Sequence, residues 1–157
     1  MENKKILQII LIILTICVLG AIFKFSSQQS EQSEGLSRKI SGTIINIVPG
    51  TKNLSQIEYE QKLTKVDCVI RKMAHFSIYT VLGLIVMSLF LTTKFDKDKS
   101  ITITIILGML YAMSDEIHQN FVDGRSPMVT DVMIDTAGVM FGICIILGIS
   151  KILNKKK

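Results

Sequence analysis

Nine side chains in this 157-residue sequence have the types and spacing to do chemistry together. They are His75, Tyr79, Asp115, Glu116, His118, Gln119, Arg125, Asp131 and Asp135. An imidazole changes charge near neutral pH and ligates metals through either ring nitrogen. Carboxylates serve as acids, bases or metal ligands, and a guanidinium holds phosphate through paired hydrogen bonds. His75, Asp115, Glu116 and His118 are therefore the candidates for a catalytic role. Tyr79, Gln119, Arg125, Asp131 and Asp135 are the candidates for binding a substrate.

Four uses of this set stand open. His75, Asp115 and His118, with Asp131 or Asp135, could bind a divalent metal, since imidazole and carboxylate suit zinc and related ions. No metal-enzyme motif of the H-E-x-x-H kind is present; the local run is DEIH, Asp115 to His118. A metal-free acid–base pair, His118 with Asp115, would suit hydrolysis of a lipid-linked substrate whose phosphate Arg125 holds. The plainest use is a buried network in which His75 and Arg125 answer Asp115, Asp131 and Asp135, and it carries the most weight. A polar conduction path is the fourth. No cofactor is expected, and the residues do not decide whether the protein is an enzyme.

The elements that must position these groups are membrane helices. Ile6 to Phe23 is an uncharged apolar run of eighteen residues between Lys5 and Lys24. At about 1.5 Å per residue it spans about 27 Å, close to a bilayer core of about 30 Å. It reads as a retained span; a cleaved signal would have a shorter apolar region and a small-x-small site. Further spans are read at 74–93, 101–119 and 128–149. Soluble helices of this length would show a charged face every three or four residues, and these do not. Three separated cysteines, Cys17, Cys68 and Cys144, offer no disulfide framework.

The net charge of +5 reads as topology rather than as nucleic-acid binding. Residues 1–5, 94–100 and 150–157 together hold nine of the eighteen lysines and arginines. Basic residues in short flanks favour the cytoplasmic side, so both termini are expected there. Residues 24–72 and 118–130 are then outside.

Depth brings the candidates together. Tyr79, Asp115 and Asp135 each lie fifteen residues from the cytoplasmic boundary of their span, and His75, Gln119 and Asp131 nineteen. These counts predict two shared levels, one helical turn apart. Gly108, Tyr111, Asp115, His118 and Gln119 share about a 100° arc of their helix. Asp131, Asp135, Gly138 and Gly142 share about 60° of theirs, and the Gly-x-x-x-Gly pair aims that face at a neighbouring helix.

The outer segment, 24–72, begins with a polar stretch and continues as an amphipathic helix. Leu36, Ile40, Ile44 and Ile47 recur at helical spacing, as in a helix lying on the outer leaflet, until Pro49-Gly50 ends it. Ser55 and Glu58 form a capping-box pattern, and the helix that starts there is expected to run into the second span.

Two motifs in this chain resemble those of the VanZ-like family. Arg71 to Gly83 (RKMAHFSIYTVLG) is similar to that family's entry to the second helix. Tyr111 to Gln119 (YAMSDEIHQ), followed by Gly124-Arg125-Ser126 and Asp131 to Gly138 (DVMIDTAG), is similar to its second motif. Phe25-Ser-Ser-Gln28 after the first span is also similar, so the resemblance covers roughly residues 10–150. It implies a small bacterial membrane protein of a family associated with reduced susceptibility to teicoplanin. The partners it implies are the bilayer and a lipid-linked cell-wall precursor or lipoglycopeptide, with no nucleic acid. The expected fold is all-α: one domain over 1–157, with four transmembrane helices and an extracellular amphipathic segment between the first and second.

Overall fold

The computed structural model describes residues 2–27, 30–47, 55–122 and 128–155, and every regular element among them is a helix. The helices are α1 (Glu2–Ser26), α2 (Ser30–Ile47), α3 (Gln56–Leu91), α4 (Lys97–Gln119) and α5 (Val129–Lys155). All but α2 are long and apolar enough to cross a membrane. Their outer surfaces match that solvent: Ile9, Ile13 and Ile16 on α1, Leu107 and Leu110 on α4, and Phe141 on α5 are exposed. In water such a surface would drive association; against acyl chains it is at rest.

Capping side chains fix the starts of α3 and α4. Ser55 caps α3 by accepting from the Glu58 N–H, while the Ser55 N–H donates to the Glu58 carboxylate at 3.0 Å. Asp96 caps α4 by accepting from the Lys99 N–H at 3.0 Å, which converts the charged turn after α3 into the first turn of α4. At 36 residues, α3 is about 54 Å long, far more than a bilayer core needs. Its first half is the polar helix expected before the second span, and it continues into that span without a break.

Side-chain pairings fix the directions. Tyr111 on α4 reaches the carbonyl of Leu19 on α1, and His118 reaches Ser27, so these two helices run parallel. Lys72 pairs with Asp131 and His75 with Asp135, so α3 and α5 also run parallel. Gly108 faces Val139 while Glu116 meets Met128, so α4 runs against α5. Gln8 Nε2 donates to the Thr92 carbonyl at 3.1 Å, which ties the start of α1 to the end of α3. The start of α1, the α3–α4 turn and the end of α5 therefore share one end of the bundle. The polar candidates gather toward the other.

The closest packing is between α3 and α5. A Cβ on Gly138 would lie 2.5 Å from the Phe76 carbonyl oxygen, and one on Gly142 would lie 2.7 Å from the Leu84 nitrogen. Only glycine admits backbone at that distance, which is the close approach expected of the Gly-x-x-x-Gly stripe. Tyr79, Leu82, Met87, Ala112, Val139 and Ile143, with Ile22 from α1, form the core around it.

Helix α2 leans on the projecting first half of α3. Arg38 pairs with Glu60 at 3.7 Å, and Gly42 lies under the Tyr59 hydroxyl. The buried side of α2 is Ser37, Ser41 and Ile45, while Ile40, Ile44 and Ile47 are exposed. Small side chains let two helices approach more closely than isoleucines do. The apolar stripe read from the sequence is thus left for something other than α3. Pro49-Gly50 lies outside the described residues.

Candidate functional site

The parallel register of α3 and α5 builds the site. It sets Lys72 beside Asp131 and, one turn further along both helices, His75 beside Asp135. Asp115 enters from α4. One ligand atom each from His75, Asp115 and Asp135 lies within 4.8 Å of the other two. Asp135 is fully buried and Asp115 nearly so, while the His75 side chain keeps about a quarter of its surface exposed, at 26%.

The two predicted levels thus merge into one cluster. Counting from Lys94 and Ser150 placed Asp135 level with Tyr79, whereas the structure sets it beside His75, one turn away. The count assumed that α3 and α5 leave the membrane at matching residues. In fact α5 continues as helix to Lys155 while α3 stops at Leu91. The register is set instead by where Gly138 and Gly142 allow the backbones to touch.

Around the cluster, each remaining candidate has a definite place. Gln119 Nε2 donates to Asp115 Oδ2 at 3.1 Å and so orients that carboxylate. The Tyr79 hydroxyl is buried with no hydrogen-bond partner among the described residues. Glu116 is also buried, but its Oε2 accepts from the Met128 N–H at 2.8 Å, at the entry to α5. That contact ties α4 to the start of α5 and removes one oxygen from the chemistry.

His118 turns the other way. Its ring stacks on Phe23 with centroids 4.6 Å apart, and its Nε2 lies 2.9 Å from Ser27 Oγ. It belongs to the contact between α1 and α4 and does not face His75. Asp131 is a step removed from the cluster, held in an ion pair with Lys72. Arg125 lies outside the described residues.

Lys72 was not among the residues singled out from the sequence. The signal was present, because Lys72 lies three residues before His75 and therefore on nearly the same helix face. A lysine at the mouth of a span, one turn from an inward histidine, pairs with an acid or snorkels to the surface.

Chemically the cluster is an imidazole between two carboxylates with an amide orienting one of them. It can hold a proton, transfer one, or hold a cation. Neither oxygen of Asp135 has a hydrogen-bond partner among the described residues, and its ion-pair contact to His75 Nδ1 spans 3.7 Å. A buried carboxylate without donors is costly to keep charged, which marks it for function rather than for stability.

Four apolar helices arranged around inward polar groups define a multi-pass integral membrane protein. The VanZ/LLP1 family model matches residues 11–153, nearly the whole chain, and the protein belongs to that family. No curated protein and no solved structure matches it.

Proposed function

We propose that this VanZ/LLP1-family protein acts at the outer face of the bacterial cell membrane and lowers susceptibility to teicoplanin-type lipoglycopeptides. The observation that carries the reading is the convergence of His75, Asp115 and Asp135 from three helices toward the end of the bundle away from both termini. The lysines at the other end, including Lys4, Lys5, Lys97 and Lys99, favour the cytoplasmic side. The cluster then lies toward the outer face, where lipid-linked cell-wall precursors and acylated glycopeptides meet the bilayer.

Teicoplanin and dalbavancin susceptibility in cells with and without the gene tests the reading. The gene is expected to raise the inhibitory concentration several-fold, and Asp115→Asn at matched membrane levels is expected to abolish the gain. Equal susceptibility in all three strains would refute it. Orientation has its own test: reporter fusions after Gly50 and after Lys97 should report outside and inside respectively. An outside signal at Lys97 reverses the bundle and with it the reading.

A second reading is favoured by the pairing of an imidazole with buried carboxylates beside the Lys72 ammonium. Those are the parts of a membrane-embedded hydrolase or transferase acting on a lipid-linked phosphate, with His75 as proton carrier. Lys72 would meet the phosphate as a point charge once freed from Asp131. Release of phosphate from a lipid-linked diphosphate by the purified protein, lost in Asp115→Asn, would select this reading over the non-enzymatic one.

A further inference from the structure

We propose that His75, Asp115 and Asp135 bind a first-row divalent transition-metal ion. Three donors of the right kind already converge: an imidazole nitrogen and two carboxylate oxygens, all within 4.8 Å of one another. Around a zinc-sized ion at about 2.0–2.2 Å from each donor, tetrahedral ligands stand about 3.4 Å apart. His75 Nδ1 and Asp135 Oδ2, at 3.7 Å, are close to that spacing, and an Asp115 oxygen lies within 4.8 Å of a donor atom of each.

The second observation is independent of this spacing. Asp135 is wholly buried, and neither of its oxygens has a hydrogen-bond partner among the described residues. A buried carboxylate normally has its lone pairs satisfied. A cation on the Asp135 side of His75 supplies what the protein does not.

Charge and ligand type narrow the ion. Two carboxylates and a neutral imidazole carry a formal charge of about −2, which a divalent cation neutralises. A nitrogen donor disfavours magnesium and calcium, which take oxygen ligands; imidazole with carboxylate suits zinc, cobalt or manganese. Gln119 donates to Asp115 Oδ2 and orients it, as outer partners of metal-bound carboxylates do. The inference stands on these three side chains and does not depend on any role in antibiotic susceptibility.

The test uses the full chain purified in detergent, stripped with a chelator, incubated with zinc or cobalt chloride, and desalted. About one equivalent of either metal per chain should remain, and the cobalt form should show visible bands of nitrogen–oxygen coordination. Asp135→Asn should weaken binding at least about a hundredfold, and His118→Gln, whose ring faces α1, should leave it unchanged. Retention of less than about 0.1 equivalent of both metals, or wild-type binding by Asp135→Asn, overturns the proposal. If that variant does not elute as a single species, Asp115→Asn takes its place. The cobalt spectrum of the wild type needs no variant, and a spectrum without those bands also overturns it.

Discussion

Gly142→Leu should sharply reduce the yield of folded protein, while Gly148→Leu on the same helix should leave it intact. A Cβ at position 142 would overlap the Thr80 carbonyl oxygen and lie 2.7 Å from the Leu84 nitrogen. Both neighbours are backbone atoms of α3, so no side chain can swing aside to make room. The two helices must separate along their closest line of contact. At position 148 nothing lies within 4 Å of the added Cβ, so the same leucine simply joins the lipid-facing surface.

Forcing extra atoms into a close-packed contact costs about 1–3 kcal/mol, and a backbone-to-backbone contact belongs at the upper end. Gly142 also lies on the line that sets the register of Lys72 with Asp131 and of His75 with Asp135, so those pairs are lost with it. Fluorescence-detected size-exclusion chromatography of a tagged protein measures the outcome. The monodisperse peak should fall at least about tenfold for Gly142→Leu and stay near wild type for Gly148→Leu. Equal peaks would mean that α3 and α5 do not meet through this face.

This glycine contact also separates what the sequence discloses from what it does not. The uncharged runs reveal the spans because a charge in hydrocarbon is expensive, and the pattern survives any packing. The Ser55 cap is legible because it depends on residues three positions apart. The inward direction of Asp135 is legible because it shares a face with Gly138 and Gly142. All of these are properties of one helix.

The unreadable features each depend on two helices. The axial offset between α3 and α5 moved Asp135 by a turn, from beside Tyr79 to beside His75. His118 shares an arc with Asp115 on α4, yet α1 covers its part of that arc and takes it into contact with Phe23 and Ser27. Periodicity names a face of α4 but not which neighbour lies against each edge of it. On α2 the isoleucine stripe is the stronger sequence signal, but the serine stripe packs on α3 because small residues allow the nearer approach. Lys72 escaped notice for a simpler reason: at the edge of a span, a lysine reads as an anchor until its partner Asp131 is seen.

Asp135→Asn should stabilise the metal-free protein and destabilise it relative to wild type once zinc is present. Without a cation, Asp135 is a fully buried carboxylate that lacks hydrogen-bond partners among the described residues. His75 faces it at 3.7 Å, while Asp115, a second carboxylate, stands in the same cluster. Desolvation and like-charge repulsion together exceed what one imidazole at that distance returns. The neutral isostere removes both costs with no change of volume. A gain of about 1–2 kcal/mol, or about 3–6 °C in melting temperature, is expected in chelator-treated protein.

Zinc reverses the order because it binds only the intact ligand set. At about a hundred times its dissociation constant, a ligand specific to the folded state adds about 2.7 kcal/mol. The wild type gains that amount, whereas a variant that binds about a hundredfold more weakly gains only about 0.4 kcal/mol, so their melting curves exchange places. A purely structural network gives a different result: Asp135→Asn would then melt several degrees below wild type with or without metal, because the charge opposing His75 is gone. Strain held at a site and relieved by a ligand is the mark of a residue kept for function at a cost in stability. The sign of one melting shift, measured with chelator and again with zinc, separates that case from a carboxylate that merely braces three helices.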